Sequence, residues 1–227
     1  MKYHLTKAEI RKELLKCGKD PAYFINNYVK ISHPIHGLVP FKLYNFQEEA
    51  VKDFVDYRYN IILKARQLGI STTISAYIAW LMLFYRGKNI VIMATKLNTA
   101  ANLVKKTKLA MKSLPDWMLI SQIVIDNRNS FKLDNESEVK AISTSGDAGR
   151  SEALSLLVVD EAAFVENMAE LWAGLLPTLS TGGNCIVAST PCGVGNMFHK
   201  LYSESEQGIN DFNSVKLPWD VHPERDQ

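Results

Sequence analysis

Lys64-Ala65-Arg66-Gln67-Leu68-Gly69-Ile70-Ser71-Thr72 is the stretch on which the reading of this chain turns. The apolar run Ile61-Ile62-Leu63 leads into it, and a long apolar helix pattern, Ile74 to Tyr85, leads out. A strand, a turn carrying glycine and Ser/Thr, and then a helix is the layout of a phosphate-binding loop. Such a loop turns successive backbone N–H groups to one side and sets them at a helix N-terminus, where anions are favoured. The usual pattern is G-x-x-x-x-G-K-[ST]. Gly69 and Ser71 stand in their expected places, whereas Ile70 holds the lysine position and Lys64 the first glycine position. Isoleucine offers nothing to a β- or γ-phosphate, whose charge needs a cation. That cation is then Lys64 or Arg66, reaching in from the other side of the loop.

A second stretch supplies the complementary chemistry. Leu154-Ser155-Leu156-Leu157-Val158-Val159-Asp160-Glu161 is a buried-strand pattern ending in two carboxylates. Parallel strands covered on both faces read as such continuous Leu/Val runs, and acids at a strand's carboxyl end sit where open α/β sheets bind ligands. The two acids suit two roles. Asp160 helps hold Mg²⁺, directly or through water, and Glu161 orients and deprotonates an attacking water.

Working outward, Thr6 to Lys16 is an amphipathic helix with a capping box formed by Thr6 and Glu9. Asp20-Pro21 opens a second helix, and His33-Pro34-Ile35-His36-Gly37 is a loop whose two histidines are either exposed or metal-binding. Asn45 to Tyr57 is a helix with Phe46, Ala50 and Phe54 on one face. Gln47 lies on it, and its amide is either an ordinary helical surface group or a reader of adenine's Hoogsteen edge. Lys88 to Thr95 is another buried strand, and the helix Leu97 to Ser113 after it carries Lys105, Lys106, Lys108 and Lys112 as a solvated basic face. Ile120 to Lys140 alternates apolar and polar residues as two or three short antiparallel strands.

The polar loop Ser143 to Arg150 precedes the acidic strand, and the guanidinium of Arg150 suits either transferred phosphate charge or a surface salt bridge. Met168 to Leu176 is a helix stopped by Pro177. Asn184 to Ser189 is a buried strand whose end, Ser189-Thr190-Pro191, offers hydroxyls to a γ-phosphate or its water. A helix from Asn196 to Ser205, a strand-like Phe212 to Leu217 and a turn-rich tail complete the chain.

Composition narrows the class. The chain has 227 residues, 47% hydrophobic and 22% charged, which is ordinary for a globular domain with one substantial core. A net charge of +2 does not mark a nucleic-acid binder, so any DNA contact must come from a local patch or a ring of copies. Cys17, Cys185 and Cys192 fit no zinc spacing and read as reduced thiols. The N-terminus lacks a signal-peptide pattern, and the longest apolar run falls short of the roughly 18 residues of a membrane span.

Taken together, Arg66-Gln67-Leu68-Gly69-x-Ser71-Thr72, Gly149-Arg150 ahead of Leu157-Val158-Val159-Asp160-Glu161-Ala162-Ala163-Phe164, and Ser189-Thr190-Pro191-Cys192-Gly193 resemble the ATPase domain of the large terminase subunit of tailed bacteriophages. The resemblance covers the whole chain. It implies an α/β fold of the P-loop NTPase, ASCE type, with a mostly parallel central sheet flanked by helices. A small lid subdomain would form from about residues 1–40 with the C-terminal segment. Residues 1–217 are then the ATPase domain and 218–227 a linker toward a nuclease domain, whose DNA-cleaving activity is not expected in this piece.

The activity implied is ATP hydrolysis with Mg²⁺, driving double-stranded viral DNA into a procapsid in the host bacterial cytoplasm. The implied partners are the portal protein, the small terminase subunit and copies of this chain in a ring, the isolated domain being monomeric. By the resemblance Lys64, Ala65, Arg66, Gln67, Leu68, Gly69, Ile70, Ser71 and Thr72 match the Walker A segment, with Gln47 on the adenine side. Ser71 and Asp160 hold the metal, and Glu161 is the catalytic glutamate. Arg150 is the arginine finger toward a neighbouring subunit, and Ser189, Thr190 and Pro191 are the coupling motif. Two rivals stand beside this: a helicase-like ATPase, which needs a second lobe, and a DNA- or portal-binding module with a degenerate nucleotide site, which Ile70 favours and Glu161 opposes.

Overall fold

The computed structural model describes residues 5–144 and 153–224. In chain order the elements are α1 (Lys7–Lys19), α2 (Pro21–Tyr28), β1 (Lys30–His33), β2 (Gly37–Pro40), α3 (Asn45–Asp56), β3 (Tyr59–Lys64), α4 (Ile70–Phe84), β4 (Asn89–Met93) and α5 (Leu97–Lys112). There follow β5 (Ile123–Asp126), β6 (Ser130–Leu133), β7 (Glu138–Ile142), β8 (Leu156–Asp160), α6 (Met168–Leu175), β9 (Asn184–Ser189), α7 (Met197–Glu206) and β10 (Asn213–Leu217). Among the described residues no helix is long and apolar enough to cross a membrane.

Eight strands form one sheet in the order β10-β3-β9-β8-β4-β7-β6-β5. The neighbours from β10 through β7 pair in parallel, whereas β6 runs antiparallel to both β7 and β5. The fold is therefore the expected α/β arrangement around a mostly parallel sheet. The alternating segment 120–140 extends it as three antiparallel strands.

The continuous apolar runs are explained by a sheet with a core on each face. Successive side chains of a strand point to opposite sides. Ile62, Ile90, Ile92, Leu156, Val158, Ile186 and Ala188 pack with the helices of the first 112 residues. Their odd-numbered neighbours Ile61, Val91, Met93, Leu157, Val159, Cys185 and Val187 pack instead with α6 and α7. Every residue of β8 is buried.

The N-terminal helices begin where their caps dictate. Thr6 N–H donates to Glu9 Oε2 at 2.7 Å while Glu9 N–H donates to Thr6 Oγ1 at 3.3 Å. Tyr23 N–H donates to Asp20 Oδ1 at 2.8 Å, with Pro21 in the first turn. Both helices share the core of α4: Trp80 Nε1 donates to Cys17 O at 2.8 Å, and Phe24 meets Phe84 edge to face. Glu13 ties them together, accepting hydroxyl protons from Tyr23 and Tyr28, each at 2.7 Å. Those two bonds hold its carboxyl below the usual range.

The loop expected at 33–37 is the turn of a hairpin that sequence reading did not resolve: β1 and β2 pair antiparallel from Lys30↔Pro40 to His33↔Gly37. The two imidazoles stack at 4.7 Å, and His33 Nδ1 accepts the Ile35 and His36 amides at 3.2 Å. The metal alternative for this pair gains no support, for the described residues contain no cluster of three or more His, Cys, Asp or Glu suited to a metal.

Candidate functional site

Strand order brings the two decisive stretches together. β9 lies between β3 and β8, all three parallel, with Leu63 level with Ser189 and Asp160 level with Ala188. Lys64, Asp160 and Ser189 therefore end their strands on one edge of the sheet, the edge at which open α/β sheets take ligands.

The loop from Lys64 into α4 is shaped by two left-handed residues, Gln67 at φ 61° and Gly69 at φ 72°. Between and after them, Leu68 and Ile70 are buried at 2% and 1% exposure and pin the loop to the core. Ile70 at the lysine position is thus a core anchor. It and Leu68 turn their side chains away from any ligand, so only their backbone can face a phosphate. Gly69 is required twice over: its φ is left-handed, and a Cβ there would lie 2.6 Å from Gln47 Nε2.

Gln47 differs from both sequence alternatives. It is buried, and both ends of its amide are engaged within the protein. Nε2 donates to Leu68 O at 2.9 Å, and Oε1 accepts the Tyr44 N–H at 3.1 Å. In this conformation Gln47 braces the phosphate loop against the start of α3, and its amide is not turned outward to a base.

Ser71 Oγ donates to Asp160 Oδ2 at 2.6 Å, and Lys64 Nζ stands 4.0 Å from Asp160 Oδ1. Of the two cations left open by the sequence, Lys64 is therefore the one beside the acidic strand end. Arg66 lines the same cleft. Asp160 is buried, and its Oδ1 accepts the Glu161 N–H at 3.0 Å. Glu161 itself takes φ 57°. Among the described residues four non-glycine positions have positive φ, and two of them, Gln67 and Glu161, line this cleft, as backbone strain does at functional sites. The cleft holds about 750 Å³ and is bordered by Lys64, Arg66, Gln67, Thr95, Glu161 and Thr190, among others.

Two residues absent from the sequence reading of the site belong to it. Thr95, just beyond β4, donates its hydroxyl to Glu161 Oε2 at 2.7 Å. Lys106, read as part of a solvated face, donates to Thr72 Oγ1 at 3.0 Å. Desolvation pulls its ammonium below the usual lysine range; the Asp160 carboxylate opposes that fall and the Lys64 ammonium adds to it. Thr95 was in principle visible as a hydroxyl closing a buried strand. Lys106 carried no local signal, because nothing in a row of lysines tells which one reaches the phosphate loop.

Ser189 corrects a further expectation. Its side chain is fully buried and spent on the turns around it: its Oγ accepts the Ala163 N–H at 3.0 Å and donates to Thr190 O at 2.8 Å. Thr190 borders the cleft, and Pro191 is exposed. Arg150 lies outside the described residues.

The oxygen donors of Ser71 and Asp160 fit a magnesium ion, which is held by one or two protein oxygens and takes the rest of its shell from water and substrate phosphates. Residues 61–222 match the family model for the N-terminal part of the terminase large subunit, T4likevirus type. Solved structures share the fold. The large terminase ATPase domain of Thermus phage P74-26 is 22% identical, with a TM-score of 0.70 over 82% of this chain and 85% of that one. The large terminase of bacteriophage HK97 is 19% identical, with a TM-score of 0.69 over 89% of this chain but 43% of its own length. The large terminase of a thermophilic bacteriophage, solved with ATP-gamma-S, is 12% identical, with a TM-score of 0.64 over 81% of this chain and 46% of that one. A model covering residues 61–222, most of the chain and both halves of the cleft, settles the family: the chain belongs to the terminase large subunits of the T4likevirus type, as their N-terminal domain.

Proposed function

We propose that this domain hydrolyses ATP at the cleft between Lys64 and Asp160 and so drives double-stranded viral DNA into a procapsid. The observation that carries the reading is the meeting of the phosphate loop with the acidic strand end through Ser71 and Asp160. The loop's backbone amides and the Lys64 ammonium bind the triphosphate tail, with Arg66 on the cleft wall. Ser71 and Asp160 would hold a Mg²⁺ ion, which would supply positive charge against the charge that develops on the phosphates. Glu161, steadied by Thr95, takes a proton from water as the water oxygen bonds to the γ-phosphorus. The bond from phosphorus to the bridging oxygen breaks, and ADP leaves with its electron pair.

Arg150 reaches the γ-phosphate of a neighbouring subunit in a ring at the portal. Ser189, Thr190 and Pro191, at the end of the strand between β3 and β8, relay the change at the phosphates to the segment after β9. The small terminase subunit and the portal are the protein partners, in the host cytoplasm.

The test is ATP turnover by the wild type and by Glu161→Gln, with nucleotide binding measured alongside. Glu161→Gln binds and loses about 10²- to 10⁴-fold in turnover. Unchanged turnover removes Glu161 as the base, and no turnover by the wild type alone or with added subunits, portal and DNA favours a binding module with a degenerate site.

A further inference from the structure

We infer that Lys106, on α5, meets the terminal phosphate of ATP from the metal side of the site and supplies the charge that Ile70 leaves out of the loop. The inference rests on the ATPase reading above. Ile70 lies in the core, so the phosphate loop contributes no cation at its usual lysine position. Lys64 and Arg66 border the first cleft, on one side of the acidic strand end. Lys106 borders a second cavity of about 870 Å³, lined also by the other three lysines of α5 and by Ser71, Asp160 and Glu161; its bond to Thr72 is what sets it beside the metal residues. Glu161 lines both, so each of the two cavities sets a cation and an acid of the strand end on a shared wall.

Of the four lysines along α5, Lys108 and Lys112 are bound to Asp126, whereas Lys106 is bonded to Thr72, the residue after Ser71. A neutral hydroxyl is a modest partner for an ammonium, because charged groups gain most from charged partners. The long lysine stem lets the head swing from Thr72 to a phosphate oxygen while the helix stays fixed. Ser71 marks where a metal and the nucleotide's phosphates would sit. On this inference the Lys106 charge lies at the outermost phosphate, so its contribution separates ATP from ADP.

The experiment uses the intact chain carrying Glu161→Gln, so that nucleotide is held without turnover. Binding of fluorescent ATP and ADP analogues is measured with Mg²⁺ for Lys106→Met, Lys106→Gln, Lys106→Arg and, as a control on the same helix, Lys105→Met. The inference expects Lys106→Met and Lys106→Gln to weaken the ATP analogue about tenfold, the scale of one lost charge-assisted contact, and the ADP analogue about twofold or less. Lys106→Arg recovers most of the loss, Lys105→Met binds as the parent does, and melting temperatures stay level. Equal weakening of both analogues, or none, overturns the role of Lys106 and leaves the cleft's assignment standing if Lys64→Met still weakens binding. A Glu161→Gln parent that binds neither analogue overturns the ATPase reading and this inference with it.

Discussion

Ser71 and Asp160 are 89 residues apart in the chain and share a hydrogen bond of 2.6 Å, hydroxyl to carboxylate, in a partly buried corner of the sheet edge. Two oxygen donors placed together there are expected to make binding of the nucleotide metal-dependent. Wild-type protein is expected to bind a fluorescent ATP analogue about tenfold or more tightly with Mg²⁺ than with a chelator. Ser71→Ala and Asp160→Asn lose most of that difference. Titrations with and without chelator check this, and a full metal effect in either variant contradicts the assignment of these ligands.

Gly69→Ala combines a left-handed φ with a clash against Gln47 Nε2. The backbone part alone costs about 1–2 kcal/mol, which for a domain of this size lowers the melting temperature by about 2–8 °C. Adding Gln47→Ala removes the obstructing amide and leaves the backbone strain. The double variant is therefore expected to melt higher than the sum of the single losses predicts, a coupling read from a double-mutant cycle of thermal melts. Additive losses would mean that the amide gives way freely.

The role of Arg150 is tested by mixing two variants. If it acts on a neighbour's nucleotide, Arg150→Ala and Glu161→Gln are each inactive in the assembled ring, yet mixtures regain turnover, because some interfaces combine an intact finger with an intact base. A finger of this kind is worth about 10³- to 10⁵-fold in rate, so even partial recovery stands far above background. Mixtures that stay as inactive as the separate variants point to action within one subunit.

Acid sensitivity is expected at the junction of α1 and α2. The Tyr23 and Tyr28 hydroxyls hold the Glu13 carboxyl below its usual range. A carboxylate whose folded pKa is depressed contributes fully above its unfolded pKa, about 4.3, and the contribution fades as pH falls through the lower folded value. Glu13→Gln is therefore expected to melt below the wild type at pH 7, by the equivalent of about 1 kcal/mol. The gap closes on acidification below about pH 4. Melts across pH 3–7 measure it, and a gap that widens toward acid contradicts the sign.

The sequence by itself determined the elements and the chemical inventory. Continuous Ile/Leu/Val runs mark strands buried on both faces, because a parallel sheet has no wet side, and the observed bounds of β8 and β9 follow those runs closely. Caps are set by neighbours three residues away, so Thr6, Glu9 and Asp20 were legible as helix starts. The phosphate loop and the acid pair stood out because each packs its chemistry into a few consecutive residues.

Tertiary structure alone decided which side chains face the cleft, since that depends on strand order and side-chain direction, which no local window contains. Ser189 and Gln47 looked like ligand contacts and are buried braces; Thr95 and Lys106 looked like nothing in particular and are bonded to Glu161 and Thr72. Ile70 looked like a defect in a phosphate loop and is a residue of the core. The hairpin of β1 and β2 went unread because four-residue strands carry too little alternation to register, and only pairing across the turn defines them.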